Sequence, residues 1–324
     1  MSAPTTYHVP STPTGPSLGE SRAGYALEVD HVTKRYGATT VVDDLSFIVP
    51  PGRVTGFLGP NGSGKSTTMK IMLDLAAADA GAARIGGSRY RDLPDPARTV
   101  GAIVESDAFH PGRSGRNHLR ILAAATGIPA TRVDEVLEQV GLAGAADRRA
   151  GAYSLGMRQR LGLAAALLGE PPVLILDEPG NGLDPQGIRT LRDLLRAHAA
   201  DGGTVLVSSH LLAEVEHLAD DVIVINDGRL VTHGVLAELQ QAASFVRTDE
   251  PGRLADLLEQ AGATTRADGA TGLVVRGLST AEIGERAFTS GIVLHELSPH
   301  GGSLEELFLT WTADTSATEE VIEL

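Results

Sequence analysis

The fold is decided by the stretch Gly59-Pro60-Asn61-Gly62-Ser63-Gly64-Lys65-Ser66-Thr67. An apolar run, Val54 to Leu58, predicts a strand before it, and helix formers from Ser66 to Leu75 predict a helix after it. Glycines let the loop curl with its N–H groups inward, Lys65 offers a charge to outer phosphates, and the Ser66 hydroxyl suits Mg²⁺. The helix start adds partial positive charge. The stretch predicts a phosphate-binding loop; a flexible turn is the alternative.

Two adjacent carboxylates follow a second apolar run, Val173 to Leu176. Such a run is typical of a buried parallel strand whose carboxyl end faces a ligand. We predict that Asp177 holds Mg²⁺, directly or through water. Glu178 is predicted to accept a proton from an attacking water, as the general base of a hydrolase. A solvated strand end is the alternative interpretation.

Two further segments place polar residues beside a predicted helix or strand. The segment Tyr153-Ser154-Leu155-Gly156-Met157-Arg158-Gln159-Arg160 precedes an apolar helix, and Ser154 lies at its N-cap position, which indicates either a second anion site or ordinary capping. The apolar run Thr204 to Ser208 predicts another strand, followed by Ser209 and His210.

Together these segments resemble the ATPase subunits of ABC transporters. The family signature L-S-G-G-Q lies just upstream of the magnesium-binding strand and is matched here by Tyr153, Ser154, Leu155, Gly156 and Met157. Ser154 and Gly156 keep the hydroxyl and bare backbone that approach a γ-phosphate, whereas Leu155 and Met157 replace a glycine and a glutamine. This form resembles the branch of bacterial drug and antibiotic-peptide exporters of the bacitracin and daunorubicin resistance type.

The resemblance implies four further site residues. Asn181-Gly182-Leu183-Asp184 resembles the D-loop at the dimer interface, with Asp184 as its fixed carboxylate, and His210 takes the position of the switch histidine at the γ-phosphate. Tyr36 matches the aromatic residue that stacks on adenine, although an incidental exposed aromatic is the alternative. Glu105 stands where the family has a glutamine, and its carboxylate suits Mg²⁺ unless it is a surface residue.

Composition limits the alternatives. The 324 residues include no cysteine, which excludes disulfides and cysteine-based zinc sites, and the net charge of −14 argues against nucleic-acid binding. No apolar run approaches the roughly 20 residues that span a bilayer, and no signal-peptide pattern is present. We therefore expect a cytoplasmic protein, held at the inner face of the membrane by a permease.

The predicted fold is α/β: a P-loop NTPase of the ABC ATPase type with an inserted helical subdomain and a small C-terminal α+β domain. The C-terminal pattern β-α-β-β-α-β matches a ferredoxin-like unit. The predicted boundaries are a disordered tail at 1–24, the ATPase domain at 25–240 with its helical subdomain at about 107–168, the accessory domain at 244–312 and a tail at 313–324.

Three local features carry predictions of their own. The pair Asp43-Asp44 is predicted to form a turn between strands. The arginines of the segment from Phe109 to Arg120, namely Arg113, Arg116 and Arg120, form either a transmission surface toward the membrane subunit or a solvated face. A last helix carries Leu304, Leu307, Phe308 and Trp311 on one stripe, which is expected to pack against its own sheet.

The predicted function is an ATP-binding and ATP-hydrolysing subunit that powers export of a drug, peptide or lipid-like substrate through a separate membrane permease. The resemblance implies ATP and Mg²⁺ as cofactors and a second copy as partner, so that Ser154 of one copy closes over ATP held by Lys65 of the other. The alternative is a soluble ABC-type ATPase that acts in assembly or regulation without a permease. Translation factors usually hold two ATPase units and chromosome-organising ATPases need long heptad repeats, neither of which is present.

Overall fold

A computed structural model describes residues 24–104, 109–209, 211–241, 243–299, 304–305 and 307–309. The predictions for Glu105, His210, Trp311 and the two tails before residue 24 and after residue 312 lie outside these residues. Within the described ranges, no helix is long and apolar enough to cross a membrane.

A six-stranded sheet forms the centre of the molecule, in the order β5-β6-β7-β3-β8-β9. Its strands are β3 (Val54–Leu58), β5 (Val100–Ile103), β6 (Val173–Leu176), β7 (Thr204–Ser208), β8 (Asp221–Asn226) and β9 (Arg229–Val235). All neighbouring pairs are parallel except β8 and β9. Every residue of β3, β6 and β7 is buried, as expected for parallel strands that are covered on both faces. The predicted mainly parallel sheet is confirmed.

A three-stranded antiparallel sheet covers one face of the central sheet. It consists of β1 (Leu27–Tyr36), β2 (Thr39–Val49) and β4 (Ala80–Ile85) in the order β2-β1-β4. Its apolar side chains share one hydrophobic core with α1 (Lys65–Met72) and the central strands. Helix α1 ends three residues before the predicted Leu75.

The predicted turn at Asp43-Asp44 is wrong, because both residues lie inside β2. Between the pairs Val32–Leu45 and Lys34–Val42, β2 has two residues where β1 has one, and Asp44 takes φ +50° at this bulge. The carboxylate of Asp43 accepts a hydrogen bond from the Arg229 guanidinium at 2.6 Å, so the extra residue is tied to β9.

Further helices pack on the other face of the central sheet or on one another. They are α2 (Pro96–Thr99), α3 (Gly115–Ala125), α4 (Thr131–Gln139), α5 (Leu155–Leu167), α6 (Pro185–Ala200), α7 (Leu212–Leu218) and α8 (Leu236–Gln241). The inserted helices α3, α4 and α5 pack around Leu119, Val136 and Leu161, which confirms a helical insertion before β6. Arg116 forms ion pairs with Asp134 and Asp147 of the same chain, so the charge of this arginine is neutralised by its neighbours.

The C-terminal part contains a second, four-stranded sheet. Strands β10 (Ala243–Thr248), β11 (Thr264–Asp268), β12 (Gly272–Arg276) and β13 (Leu294–Pro299) alternate with α9 (Pro251–Glu259) and α10 (Thr280–Thr289). The strand order is β11-β12-β10-β13 and all neighbours are antiparallel. Leu254, Leu258 and Ile283 of the two helices share a core with Val246 of β10. The predicted β-α-β-β-α-β order is confirmed, and the boundaries of a separate domain stay a prediction.

For the residues that are described, the last apolar stripe packs within the chain and against a sheet, as predicted. Leu304 is buried with Leu58, Val215 and Val224, and Phe308 packs against the same cluster. This cluster belongs to the central sheet and α7. Because α9 and α10 already fill one face of the C-terminal sheet, the chain end covers an apolar area of the central sheet instead.

Candidate functional site

The phosphate-binding loop connects β3 to α1 and is tightly packed on its outer side. A Cβ atom at Gly64, which has φ +101°, would lie 2.6 Å from the Val41 carbonyl oxygen, and one at Gly59 would lie 2.5 Å from the Ile225 carbonyl oxygen. A Cβ atom at Gly62 would have no neighbour within 4 Å, so the loop is open on that side. The Ser63 hydroxyl is buried and has no hydrogen-bond partner in the described structure. The loop thus has the shape of an anion cradle.

Lys65 lies in the floor of this loop, only 6% exposed. Its Nζ donates to the carbonyl oxygens of Gly59 and Pro60, at 2.6 and 2.9 Å. Burial lowers the pKa of Lys65, and the negative charges of Glu178 and Asp177 oppose that shift. The ammonium group is therefore electrostatically coupled to both predicted carboxylates. Ser66, the next residue, is exposed at the start of α1.

The two carboxylates follow β6 and are held by the neighbouring strand. The Ser208 hydroxyl, at the end of β7, donates to Asp177 Oδ1 at 2.5 Å and accepts from the Glu178 N–H at 2.9 Å. Glu178 has φ +48°, an unusual conformation for a residue with a side chain. Sequence reasoning did not assign a role to Ser208, although a polar residue at the end of an otherwise apolar strand was the available signal.

Glu178 is also contacted by side chains from two other elements. The Asn181 amide donates to Glu178 Oε2 at 2.5 Å, and the buried Gln159 of α5 donates to the Glu178 carbonyl oxygen at 2.7 Å. The main chain and the side chain of Glu178 are thus both restrained. Neither Asn181 nor Gln159 was singled out for this contact from the sequence.

The segment predicted as the signature begins α5. Ser154 is its N-cap, and its hydroxyl accepts a hydrogen bond from the Met157 N–H at 3.3 Å, so the capping interpretation is confirmed. Ser154 and Leu155 are exposed, and Gly156 is half-buried. Such capping leaves the hydroxyl at the surface beside a helix start, where an anion is favoured.

The predicted D-loop lies against this helix start. A Cβ atom at Gly182 would be 2.5 Å from Leu155 Cδ2, and one at Gly156 would be 2.6 Å from the Gly182 carbonyl oxygen. Asp184 caps α6 by accepting from the Gly187 N–H at 2.9 Å, and it also accepts from Arg160 at 3.1 Å. The structure therefore brings the signature segment and the D-loop together.

The phosphate-binding loop and the signature segment lie apart. Helix α5 packs on β5, at one edge of the sheet, whereas the phosphate-binding loop follows β3, three strands away. At roughly 4.8 Å between strands, this separation is about 14 Å. The two segments of one chain therefore belong to different parts of the sheet.

Tyr36 ends β1 in the hairpin that also carries Val41 against Gly64. The Tyr36 ring is 53% exposed, and Lys34 Nζ lies 5.1 Å from its centroid. An exposed ring in this hairpin is available for stacking beside the phosphate-binding loop.

Comparisons with known proteins agree with this arrangement. A family model described as "ABC transporter" matches residues 42–181, and a "Domain of unknown function (DUF8746)" matches residues 244–305. An uncharacterized ABC transporter ATP-binding protein, YhcH of Bacillus subtilis (strain 168), is 38% identical over 301 residues, which cover 91% of this chain and 98% of that protein.

A second relative has an assigned transport role. The bacitracin transport ATP-binding protein BcrA of Enterococcus faecalis is 42% identical over 220 residues, covering 67% of this chain and 71% of that protein. A solved structure of an ATP-binding subunit of an ABC transporter has a TM-score of 0.61 at 28% identity and covers 81% of this chain and 99% of that one. The chain therefore belongs to the family of ABC transporter ATP-binding proteins and is an ATPase.

Proposed function

We propose that this chain is the subunit that powers the export of a drug, peptide or lipid-like substrate through a separate membrane permease. The observation that carries the proposal is the arrangement of Asp177 and Glu178, which are held by Ser208 and act electrostatically on the buried Lys65. The bacitracin transport relative and the resemblance to the exporter branch support the transport role. The permease would hold the chain at the cytoplasmic face of the membrane.

Lys65 and the backbone N–H groups of residues 61–67 would bind the ATP phosphates, with Gly59 and Pro60 forming the start of the loop. The Lys65 ammonium group now donates to two loop carbonyl oxygens, and a phosphate would compete for those hydrogen bonds with a full negative charge. Tyr36 would stack on the adenine ring. Mg²⁺ would be held by the Ser66 hydroxyl, Asp177 and Glu105, and it would neutralise charge on the phosphates.

Glu178 would act as the general base for the attacking water. Its carboxylate lies one residue beyond Asp177, and its main chain is fixed at both the N–H and the carbonyl group. Catalysis would rest on positioning and charge stabilisation, without a covalent intermediate. His210 would contact the γ-phosphate as the switch histidine.

A second copy of the chain would complete each ATP site. Ser154 begins the helix that packs on β5, whereas Lys65 follows β3, three strands away in the sheet. The exposed Ser154 and the bare backbone of Gly156 would therefore close over ATP that is bound to the partner. Because one chain carries both halves of the site, two identical copies suffice for two competent sites.

The test is the variant Glu178→Gln. We expect it to keep ATP binding, to lose at least about 10²-fold in turnover, and to form a longer-lived ATP-bound dimer in size-exclusion chromatography. The matched control is Glu138→Gln, which changes an exposed glutamate of α4 and should leave turnover unchanged. Near-normal hydrolysis by Glu178→Gln would refute the assignment of the base.

Co-purification tests the transport role. The tagged wild-type chain is expressed in its own cells and purified from their solubilised membranes. An integral membrane protein with several spans should be recovered with it. Recovery of the chain only in soluble complexes would favour an assembly ATPase instead.

A further inference from the structure

The turn after Glu178 brings an uncharged amide against the proposed base. The Asn181 N–H donates to the Glu178 carbonyl oxygen at 3.2 Å, which closes the turn, and the Asn181 side chain then reaches Glu178 Oε2 at 2.5 Å. Both side chains are half-buried, where a hydrogen bond to a carboxylate is stronger than in open water.

The rest of Glu178 is already fixed by other elements. Ser208 of β7 accepts from its N–H, and Gln159 of α5 donates to its carbonyl oxygen. Gln159 is itself only 3% exposed, so this contact is well enclosed. With the main chain held on both sides, the remaining freedom of Glu178 lies in its side-chain torsions. The Asn181 hydrogen bond restricts those torsions.

The amide suits this position chemically. An Asn side chain donates a hydrogen bond without carrying a charge, so it can orient a carboxylate. An aspartate of the same shape would place a second carboxylate beside the base. Two carboxylates so close repel each other, so the aspartate would not hold the base in this direction.

We infer that Asn181 is a positioning residue for ATP hydrolysis, acting through the carboxylate of Glu178. This inference rests on the proposed role of Glu178 as the base. Asn181 fixes the direction of the carboxylate that takes the proton from water. Asn181 thus acts within its own chain, as Asp184 does when it caps α6.

The experiment compares Asn181→Asp, Asn181→Ser and Asn181→Ala by steady-state ATPase kinetics. For Asn181→Asp we expect kcat about tenfold lower, with the KM for ATP within about twofold of wild type, because the direction of the base changes and the binding of ATP does not. Asn181→Ser keeps a donor and should recover part of kcat, whereas Asn181→Ala should not. Asn117→Asp, at an exposed position of α3, is the matched control and should match wild type.

Folding is checked by the thermal unfolding midpoint and by binding of a fluorescent ATP analogue, both of which should be close to wild type. A further comparison places Asn181→Ala in the Glu178→Gln background. If Asn181 acts through Glu178, the second substitution adds little to the loss caused by the first.

The outcomes separate the two proposals. A large loss in Glu178→Gln together with wild-type kcat in Asn181→Asp, or with additive losses in the double variant, would overturn the positioning role and leave the base in place. Near-normal turnover in Glu178→Gln would overturn both. Equal kcat values in Asn181→Ser and Asn181→Ala would also contradict the inference.

Discussion

Removing the Ser208 hydroxyl tests whether the two carboxylates depend on the neighbouring strand. Ser208 is fully buried, donates to Asp177 Oδ1 and accepts from the Glu178 N–H. In Ser208→Ala the hydrogen bond to a charged group is lost, at about 1.5–3 kcal/mol. The buried Glu178 N–H is left unpaired, at about 1–3 kcal/mol. The expected loss of unfolding free energy is therefore about 3–5 kcal/mol.

The same substitution should reduce catalysis. Without Ser208, the carboxylate of Asp177 and the main chain of Glu178 can move relative to the phosphate-binding loop. A displacement of about 1 Å is enough to cost up to roughly 10²-fold in rate. We expect kcat to fall by about 10- to 100-fold. The change in ATP affinity should be smaller, because Lys65 is held by the carbonyl oxygens of the phosphate-binding loop and not by Ser208.

The assay pairs thermal unfolding with steady-state ATPase measurement, and Thr204→Val is the control. Thr204 begins the same strand, is equally buried, and donates one neutral hydrogen bond to the Tyr25 carbonyl oxygen at 2.9 Å. Its loss should cost about 1 kcal/mol and leave kcat unchanged when measured well below the midpoint. If Ser208→Ala unfolds like Thr204→Val and hydrolyses ATP at the wild-type rate, the carboxylates do not depend on Ser208.

Two further predictions concern α5 and α3. In Gly156→Ala the new methyl group would lie 2.6 Å from the Gly182 carbonyl oxygen, so we expect about 1–3 kcal/mol of destabilisation and reduced ATPase activity. The control is Gly162→Ala, where the nearest atom is 3.8 Å away and the substitution should be tolerated. Equal behaviour of the two variants in unfolding and ATPase assays would contradict this prediction. Burial, with a smaller contribution from Arg113, lowers the pKa of His118 below its usual 6.5. The unfolded chain therefore takes up a proton that the folded chain resists, and the free energy of unfolding falls as the pH drops through 6.5. In His118→Gln, the free energy of unfolding measured by denaturant titration should depend less on pH in this range. An unchanged dependence on pH would contradict the role of His118.

Much of the nucleotide site could be predicted because its parts are local in sequence. The loop from Gly59 to Thr67 has its glycines, lysine and hydroxyl groups within nine residues. An apolar run directly before Asp177 predicts a buried strand. The resemblance then supplied roles for Ser154 and Asp184, which spacing alone could not provide. The C-terminal order of elements, β-α-β-β-α-β, could be predicted as well, since short apolar runs and helical patterns follow one another along the chain.

Other features could not be predicted because they depend on pairing between distant segments. Whether Asp43 and Asp44 turn the chain or form a bulge depends on the register of β2 against β1. The burial of Leu304 against the central sheet depends on which apolar faces the other helices leave uncovered. An amphipathic stripe predicts that a helix packs, but not what it packs against.

By itself, the sequence predicted most of the strands and helices of the central sheet and a candidate phosphate-binding loop, because strand and helix periodicity and loop chemistry are properties of neighbouring residues. Only the tertiary structure decided how the site is held. Ser208, Gln159 and Asn181 reach Glu178 from a strand, a helix and a turn, and the first of these is 30 residues away along the chain. Such contacts depend on strand order and packing, which bring distant segments within hydrogen-bond range, and no local pattern records those distances.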